Sequence, residues 1–280
     1  RRGATIMPRT RVINARRQDD GWLITLSDSS GEWQVHARML VNAGGPWAGS
    51  IIKGVVGSNA ADRVRLVRGS HIVTRKLFDH DKSYFLQGTD GRIIFAIPYE
   101  GQFTLIGTTD KDHTDAATPP VCTDEEADYL LDFASQYFAA PLTRDDIVWR
   151  YSGVRPLYDD GASSATAATR DYVLKLDDAG GAPLLNIFGG KITTYRKLAE
   201  AALAKIAPLL GNSHGTWTAD APLPGGDFAP HQVQTQIDRL RQSYAFLDQD
   251  CATRLIRADG TEAFDMLADA ARVHALGKAC

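Results

Sequence analysis

The sequence predicts a mixed α/β (α+β) fold with a separate antiparallel sheet layer and a helical C-terminal part. Three observations carry this. First, the apolar run Leu184–Phe188 is short, and it leads through Gly189-Gly190 into a helical pattern, as a buried strand running into a helix does. Second, residues 64–110 contain several strand-like runs separated by turn residues and no helical period, which suggests an antiparallel layer apart from the glycine-rich turns. Third, everything after Pro222-Leu223-Pro224-Gly225-Gly226 is helical in character.

Composition sets the outer bounds. At 280 residues, one large or two smaller domains fit. An apolar share of 44% and a charged share of 23% are those of a globular protein with a sizeable core. A net charge of -3 gives no electrostatic reason to expect nucleic acid. No apolar run approaches a membrane span, which leaves attachment to a membrane surface open. Cys122, Cys251 and Cys280 show neither CxxC nor zinc spacing, so free thiols and no metal site are expected. The chain opens on Arg1-Arg2 and enters a strand-like segment soon after. It reads as the interior of a longer protein.

Taken in order, residues 10–15 and 22–27 read as strands. Asp28-Ser29-Ser30-Gly31 is a turn cluster, and residues 33–41 read as the return strand. Asn42-Ala43-Gly44-Gly45-Pro46-Trp47 then turns into a short helix over residues 48–55, with proline favoured just inside a helix start. The strand-to-helix context suits closeness to a cofactor, although no full GxGxxG is present. Residues 64–74 and 84–87 read as strands, and 92–98 with 102–107 as a hairpin around Glu100-Gly101. Thr123 and Glu126 have capping-box spacing at the start of a helix over 123–139, which Pro141 ends. Residues 147–152 read as a strand leading to Arg155. Residues 171–176 and 183–188 flank an Asp-Gly turn and should pair. A helix over 192–210 should face inward with Tyr195, Leu198, Ala199, Ala202, Leu203 and Ile206. Pro222–Gly226 reads as a linker before helices at 232–244, 249–257 and 262–275.

Five side chains could carry chemistry: His71 after Gly69-Ser70, Arg155 beside Pro156, Arg170, Lys191 and Thr193. Lys191 stands where a helix dipole disfavours a cation, which invites an anionic partner. Two arginines and a lysine, if they converge, make a phosphate or carboxylate site. The dull alternatives also fit: a structural histidine, Arg155 paired with Asp159 or Asp160, Arg170 with Asp171, and an ordinary βα turn with a solvated lysine.

Longer motifs narrow these alternatives. Val41-Asn42-Ala43-Gly44-Gly45-Pro46-Trp47, Arg68-Gly69-Ser70-His71-Ile72, Ile106-Gly107-Thr108-Thr109-Asp110, Tyr151-Ser152-Gly153-Val154-Arg155-Pro156-Leu157, Thr169-Arg170-Asp171-Tyr172 and Phe188-Gly189-Gly190-Lys191-Ile192-Thr193-Thr194-Tyr195-Arg196 occur in that order. Together they closely resemble the FAD-dependent, quinone-linked (aerobic) glycerol-3-phosphate dehydrogenases, over essentially the whole chain.

The resemblance implies a partial FAD-binding domain of glutathione-reductase-like fold over residues 1–63 and 153–216. A substrate domain of antiparallel sheet plus helix would occupy 64–152, and a truncated helical domain 217–280. It implies that the family's N-terminal GxGxxG segment is not in this chain, and that the fragment alone is inactive or binds no flavin. It implies FAD as cofactor, met by Ala43, Gly44, Trp47, Gly189, Gly190, Lys191, Ile192 and Thr193. Glycerol 3-phosphate would be held by Arg155, Arg170 and Lys191, and His71 would take the hydroxyl proton as the substrate is oxidised to dihydroxyacetone phosphate. Electrons would pass to ubiquinone or another membrane quinone, with the enzyme peripheral on the inner face of the cytoplasmic membrane and a homodimer as one assembly it allows. Related flavin oxidases, of glycerol phosphate or of amino or hydroxy acids, are the nearest alternatives.

Overall fold

The computed structural model describes residues 3–58, 64–89, 91–159, 161, 171–212 and 214–271. The chain divides into two compact units, residues 1–213 and 214–280.

Among the described residues the first unit holds three sheets. Strands β1 (Arg11–Arg17), β2 (Trp22–Asp28) and β3 (Gly31–Ala37) form an antiparallel meander. Alternation buries one face of β2 through Trp22, Ile24 and Leu26. The return strand is shorter than the sequence suggests. It ends at Ala37, and β4 (Leu40–Asn42) belongs to another sheet, parallel to the later strand Leu184–Phe188. After β4 come a 3-10 turn over Gly45–Trp47, the short α1 (Ala48–Ser50) and a π-turn over Ile51–Val55.

The large sheet contains β5 (Val64–Arg75), β6 (Tyr84–Gln87), β7 (Ile93–Tyr99), β8 (Phe103–Gly107), the two-residue β9 (Lys111–Asp112) and β10 (Ile147–Tyr158). Its order is β10-β5-β8-β7-β6, with β9 also on β5. Helix α2 (Asp124–Ser135) packs on one face through Ala127, Leu130, Leu131 and Ala134, against Ile72, Ile94, Ala96 and Ile106. The capping box forms: Thr123 Oγ1 accepts from the Glu126 N–H, and Glu126 Oε2 accepts from the Thr123 N–H. Strand β10 runs on through Ser152 and Gly153 to Tyr158. Arg155 therefore lies inside a strand and not at its end.

The third sheet has the order β11-β12-β4, with β11 (Val173–Asp177) antiparallel to β12 (Leu184–Phe188). A 3-10 turn over Ile192–Thr194 leads into α3 (Tyr195–Leu209). Of the α3 residues expected inward only Ala202 is buried; Tyr195, Ala199 and Leu203 are exposed. The helical period is present, but the described residues cover only part of that stripe, around Leu198, Ala202 and Ile206.

In the second unit, α4 (Val233–Ser243), α5 (Gln249–Asp259) and α6 (Glu262–Leu267) enclose Ile237, Leu240, Leu247, Ala252, Ile256 and Leu267. Helix α6 stops well short of residue 275. Its end is marked by Ala268 at φ 40, and residues 272–280 lie outside those described. Pro222–Gly226 is no free linker. Gly225, at φ +73, gives its carbonyl to the Thr261 N–H at 2.9 Å, and a Cβ there would overlap the Asp259 carbonyl. Gly225→Ala is therefore expected to destabilise the helical unit by about 2 kcal/mol or more, because it adds a backbone clash to an unfavourable φ. Thermal unfolding of the full-length protein measures it, and an unchanged transition would show that this turn is pliable.

Candidate active site

The face of the large sheet opposite α2 carries the candidate chemistry. Along β5, residues 67, 69, 71 and 73 share one face and 68, 70 and 72 the other. Cross-strand pairing sets Tyr151 opposite His71, Gly153 opposite Gly69, and Arg155 opposite Val67. On its other side His71 pairs with Gly107, which pairs with Phe95 and through it Phe85. A row of rings thus crosses five strands, interrupted only by a glycine.

Two glycines clear space on this face. A Cβ on Gly107 would overlap the His71 imidazole, and one on Gly69 would stand 2.5 Å from Arg155 Nη2. The His71 ring stacks on Tyr151 with centroids 5.0 Å apart and planes 8° from parallel. Its Nδ1 is buried without a hydrogen-bond partner among the described residues. Burial first, and the Arg155 charge second, lower the His71 pKa from its ordinary value. The imidazole is therefore held neutral and able to accept a proton.

Arg155 is fixed by the turn after β8. Its Nη1 pairs with Asp110 Oδ1 at 2.6 Å, and its Nη2 donates to Thr108 Oγ1 at 2.9 Å. Its partner among the described residues is therefore Asp110, across the sheet, and not Asp159, while Asp160 lies outside those described. The turn itself is anchored from beneath. The Ser70 N–H donates to Thr109 Oγ1 at 2.9 Å, and Thr109 Oγ1 donates to Glu126 Oε1 at 2.8 Å. Glu126 is 3% exposed and pairs with Arg68 at 2.9 Å. Burial alone would raise its pKa, but hydrogen bonds from Thr109, the Thr123 backbone and Ser70, with the Arg68 charge, bring it below the ordinary value. The site thus rests on a buried carboxylate in the first turn of α2.

The second constellation lies at the ends of the parallel strands β4 and β12. Both lead into glycine pairs, and such carboxyl-end crevices are where open α/β sheets bind ligands. Asn42 locks the two turns together: its Nδ2 donates to Asn186 Oδ1 at 2.9 Å and to the Ala48 carbonyl at 3.0 Å, and its Oδ1 accepts from the Gly44 N–H. Gly189 and Gly190 have φ of +70 and +97, the left-handed region glycine tolerates. A Cβ on Gly189 would crowd the Asp171 carbonyl at 2.9 Å. Ala43, Gly190, Lys191 and Thr193 are exposed. So are the apolar Trp47 at 54% and Ile192 at 88%.

The two constellations meet through packing. Tyr158, three residues beyond Arg155, rests on Phe188 at 5.5 Å between ring centroids, and Phe188 precedes Gly189. His71 and Arg155 are thus brought to one face. Lys191 is exposed at the other corner, with no ion pair among the described residues. Arg170 lies outside the described residues. The motif Ile106–Asp110 is visible in the sequence without a role for Asp110, and Glu126 is not recognisable there as a support. Glu126 carried one usable signal, its capping-box spacing, but that spacing did not reveal the strand beneath.

A family described as FAD dependent oxidoreductase matches residues 1–196. The chain is 42% identical over 279 residues to D-erythritol 1-phosphate dehydrogenase of Brucella abortus, covering 99% of this chain and 56% of that protein. It is 40% identical over 281 residues to the aerobic glycerol-3-phosphate dehydrogenase of Escherichia coli, with the same two coverages. The glycerol-3-phosphate dehydrogenase of Bacillus halodurans, solved in complex with FAD, superposes with a TM-score of 0.77 at 29% identity, over 94% of this chain and 51% of that one. The chain spans about half the length of the curated relatives it matches.

Proposed function

The chain belongs to the FAD-dependent oxidoreductase family, and from that premise we propose that the whole protein oxidises glycerol 3-phosphate to dihydroxyacetone phosphate. The observation that carries this reading is the pairing, on one glycine-cleared face, of a neutral, partly buried His71 with an arginine tethered by Asp110. A base and an oxyanion holder side by side suit an alcohol that carries a phosphate.

The residues at the Gly44 and Gly189 turns fit the ring end of a flavin. Backbone comes close to the surface there, and exposed Trp47 and Ile192 offer apolar contact. Ala43, Gly44, Trp47, Gly189, Gly190, Lys191, Ile192 and Thr193 would hold it. FAD, when bound, supplies the hydride acceptor. His71 would take the hydroxyl proton, Tyr151 would hold the imidazole plane, and Arg155 would grip the phosphate with Arg170 and Lys191.

The reading includes a membrane quinone as final electron acceptor and peripheral attachment to the inner face of the cytoplasmic membrane. D-erythritol 1-phosphate is a second candidate substrate, favoured by the Brucella relative. Anaerobic mixing of the full-length yellow protein with each compound decides between them. Glycerol 3-phosphate is expected to bleach the flavin band, unphosphorylated glycerol is not, and a quinone analogue should restore the band faster than oxygen. Bleaching by erythritol 1-phosphate alone would replace the substrate. Fast reoxidation by oxygen with peroxide formation would make the protein an oxidase.

A further inference from the structure

The turn after β8 carries two neighbouring tasks on one stretch of backbone. Gly107 makes room for the His71 imidazole, and the three residues after it hold Arg155. Arg155 Nη2 donates to Thr108 Oγ1 and Nη1 to Asp110 Oδ1, and Nη1 also lies 3.5 Å from the Thr109 carbonyl. The fork is therefore only as well placed as this turn.

Thr109 ties the turn down. Its side chain is buried. Its backbone N–H donates to the Ser70 carbonyl at 3.3 Å, and its hydroxyl accepts from the Ser70 N–H and donates to Glu126 Oε1. Glu126 is held in turn by Arg68 at 2.9 Å and by the Thr123 N–H at 3.2 Å. One carboxylate thus joins β5, the turn after β8 and the start of α2.

A helix cap does not require this. A glutamate three residues into a helix completes a capping box from the surface with one oxygen, and a carboxylate taken out of water is costly unless its oxygens are paired. Glu126 is buried nonetheless, with its other oxygen on the Thr109 hydroxyl. Burial works to raise its pKa, and the largest opposing contribution is that hydroxyl. The buried charge therefore fixes a turn whose other edge holds Arg155.

We propose that Thr109 and Glu126 are positioning residues for substrate binding: they set the turn that aims the Arg155 fork, and both are buried behind it. This rests on the reading of Arg155 as the phosphate holder. It gives one turn two kinetic roles. Gly107 acts on the base and so on kcat. Thr109, two residues on, acts on the clamp and so on KM.

The test is steady-state kinetics of the full-length flavoprotein, with whichever of glycerol 3-phosphate and erythritol 1-phosphate bleaches the wild-type flavin. Thr109→Val keeps the shape of the side chain but takes its hydroxyl from the Ser70 N–H and Glu126 Oε1. It should raise KM about tenfold and change kcat by about threefold at most, with flavin content unaltered. Thr109→Ser puts the hydroxyl back and should recover KM. Glu126→Gln keeps an oxygen for Thr109 but gives up the charge facing Arg68, and should raise KM by about threefold. It carries the test if Thr109→Val does not hold flavin. In the Arg155→Ala background neither substitution should raise KM further, because residues that act through one partner are not additive. A merely structural role predicts the same factor in both backgrounds. An unchanged KM in the flavin-loaded variants, a fall in kcat with KM intact, or an undiminished KM increase in Arg155→Ala would overturn the assignment. A wild-type flavin that neither phosphate bleaches is a separate result, which removes the function and this role with it.

Discussion

Arg155→Ala in the full-length enzyme is expected to raise KM for glycerol 3-phosphate by about 10² to 10³-fold while flavin content stays the same. Two effects add. The substitution removes the guanidinium fork that matches a phosphate bidentately. It also takes from Asp110 the guanidinium 2.6 Å away, so one positive charge fewer stands beside that carboxylate as the dianion arrives. Asp110→Asn in the Arg155→Ala background should therefore recover part of the loss, which a purely structural role for Arg155 does not predict. Arg155→Lys should recover little, because an ammonium cannot span both Thr108 Oγ1 and Asp110 Oδ1 and still present a fork. Steady-state kinetics with glycerol 3-phosphate measure all three. An unchanged KM in Arg155→Ala would remove the phosphate from this corner.

His71→Ala is expected to lower kcat by about 10² to 10⁴-fold, the usual worth of a positioned general base, with a smaller change in KM. The pH dependence gives a second readout. The folded-state pKa of His71 is depressed, by burial first and by the Arg155 charge second. A base works when deprotonated, so activity should fall only as pH drops through that lowered value, below the ordinary histidine value of about 6.5. Arg155→Ala removes the second cause and should move the acid limb upward. The same shift bears on stability. A neutral buried imidazole favours the fold above the ordinary value, and that contribution is lost as pH falls through the lowered one. Gly107→Ala tests the geometry without touching the base, since the added Cβ would overlap the His71 ring. It should reproduce most of the kcat loss. A normal pH–rate profile in His71→Ala would eliminate His71 as the base.

Much of the local structure was legible in the sequence. The hairpin of β7 and β8, the Thr123–Glu126 capping box and the pairing of β11 with β12 rest on short-range rules: period-two alternation, turn residues and reciprocal capping. Where the sequence misled, the missing information was non-local. The apolar pattern around residues 33–41 looks like one strand, but its last part, β4, leaves its neighbours to pair with β12, more than a hundred residues away. Tyr195, Ala199 and Leu203 keep a helical period and stay exposed. Pro222–Gly226 has the composition of a linker, yet Gly225 is bound into the helical unit by close backbone contact.

The site divides in the same way. The sequence by itself determined the chemical inventory: a histidine in a strand, an arginine beside a proline, two glycine-rich turns and a lysine at a helix start. It also carried the ordered motifs that mark the family. Only the tertiary structure decided that Arg155 answers to Asp110 and that Gly107 makes room for His71. It alone put the Gly44 and Gly189 turns at the ends of adjacent parallel strands, locked by Asn42 and Asn186. The physical reason is that residue type and spacing fix what a side chain can do and which face of its own element it occupies. Charge pairing, desolvation and room for a ring depend on which distant strand lies alongside, and that is set by the register of the whole sheet.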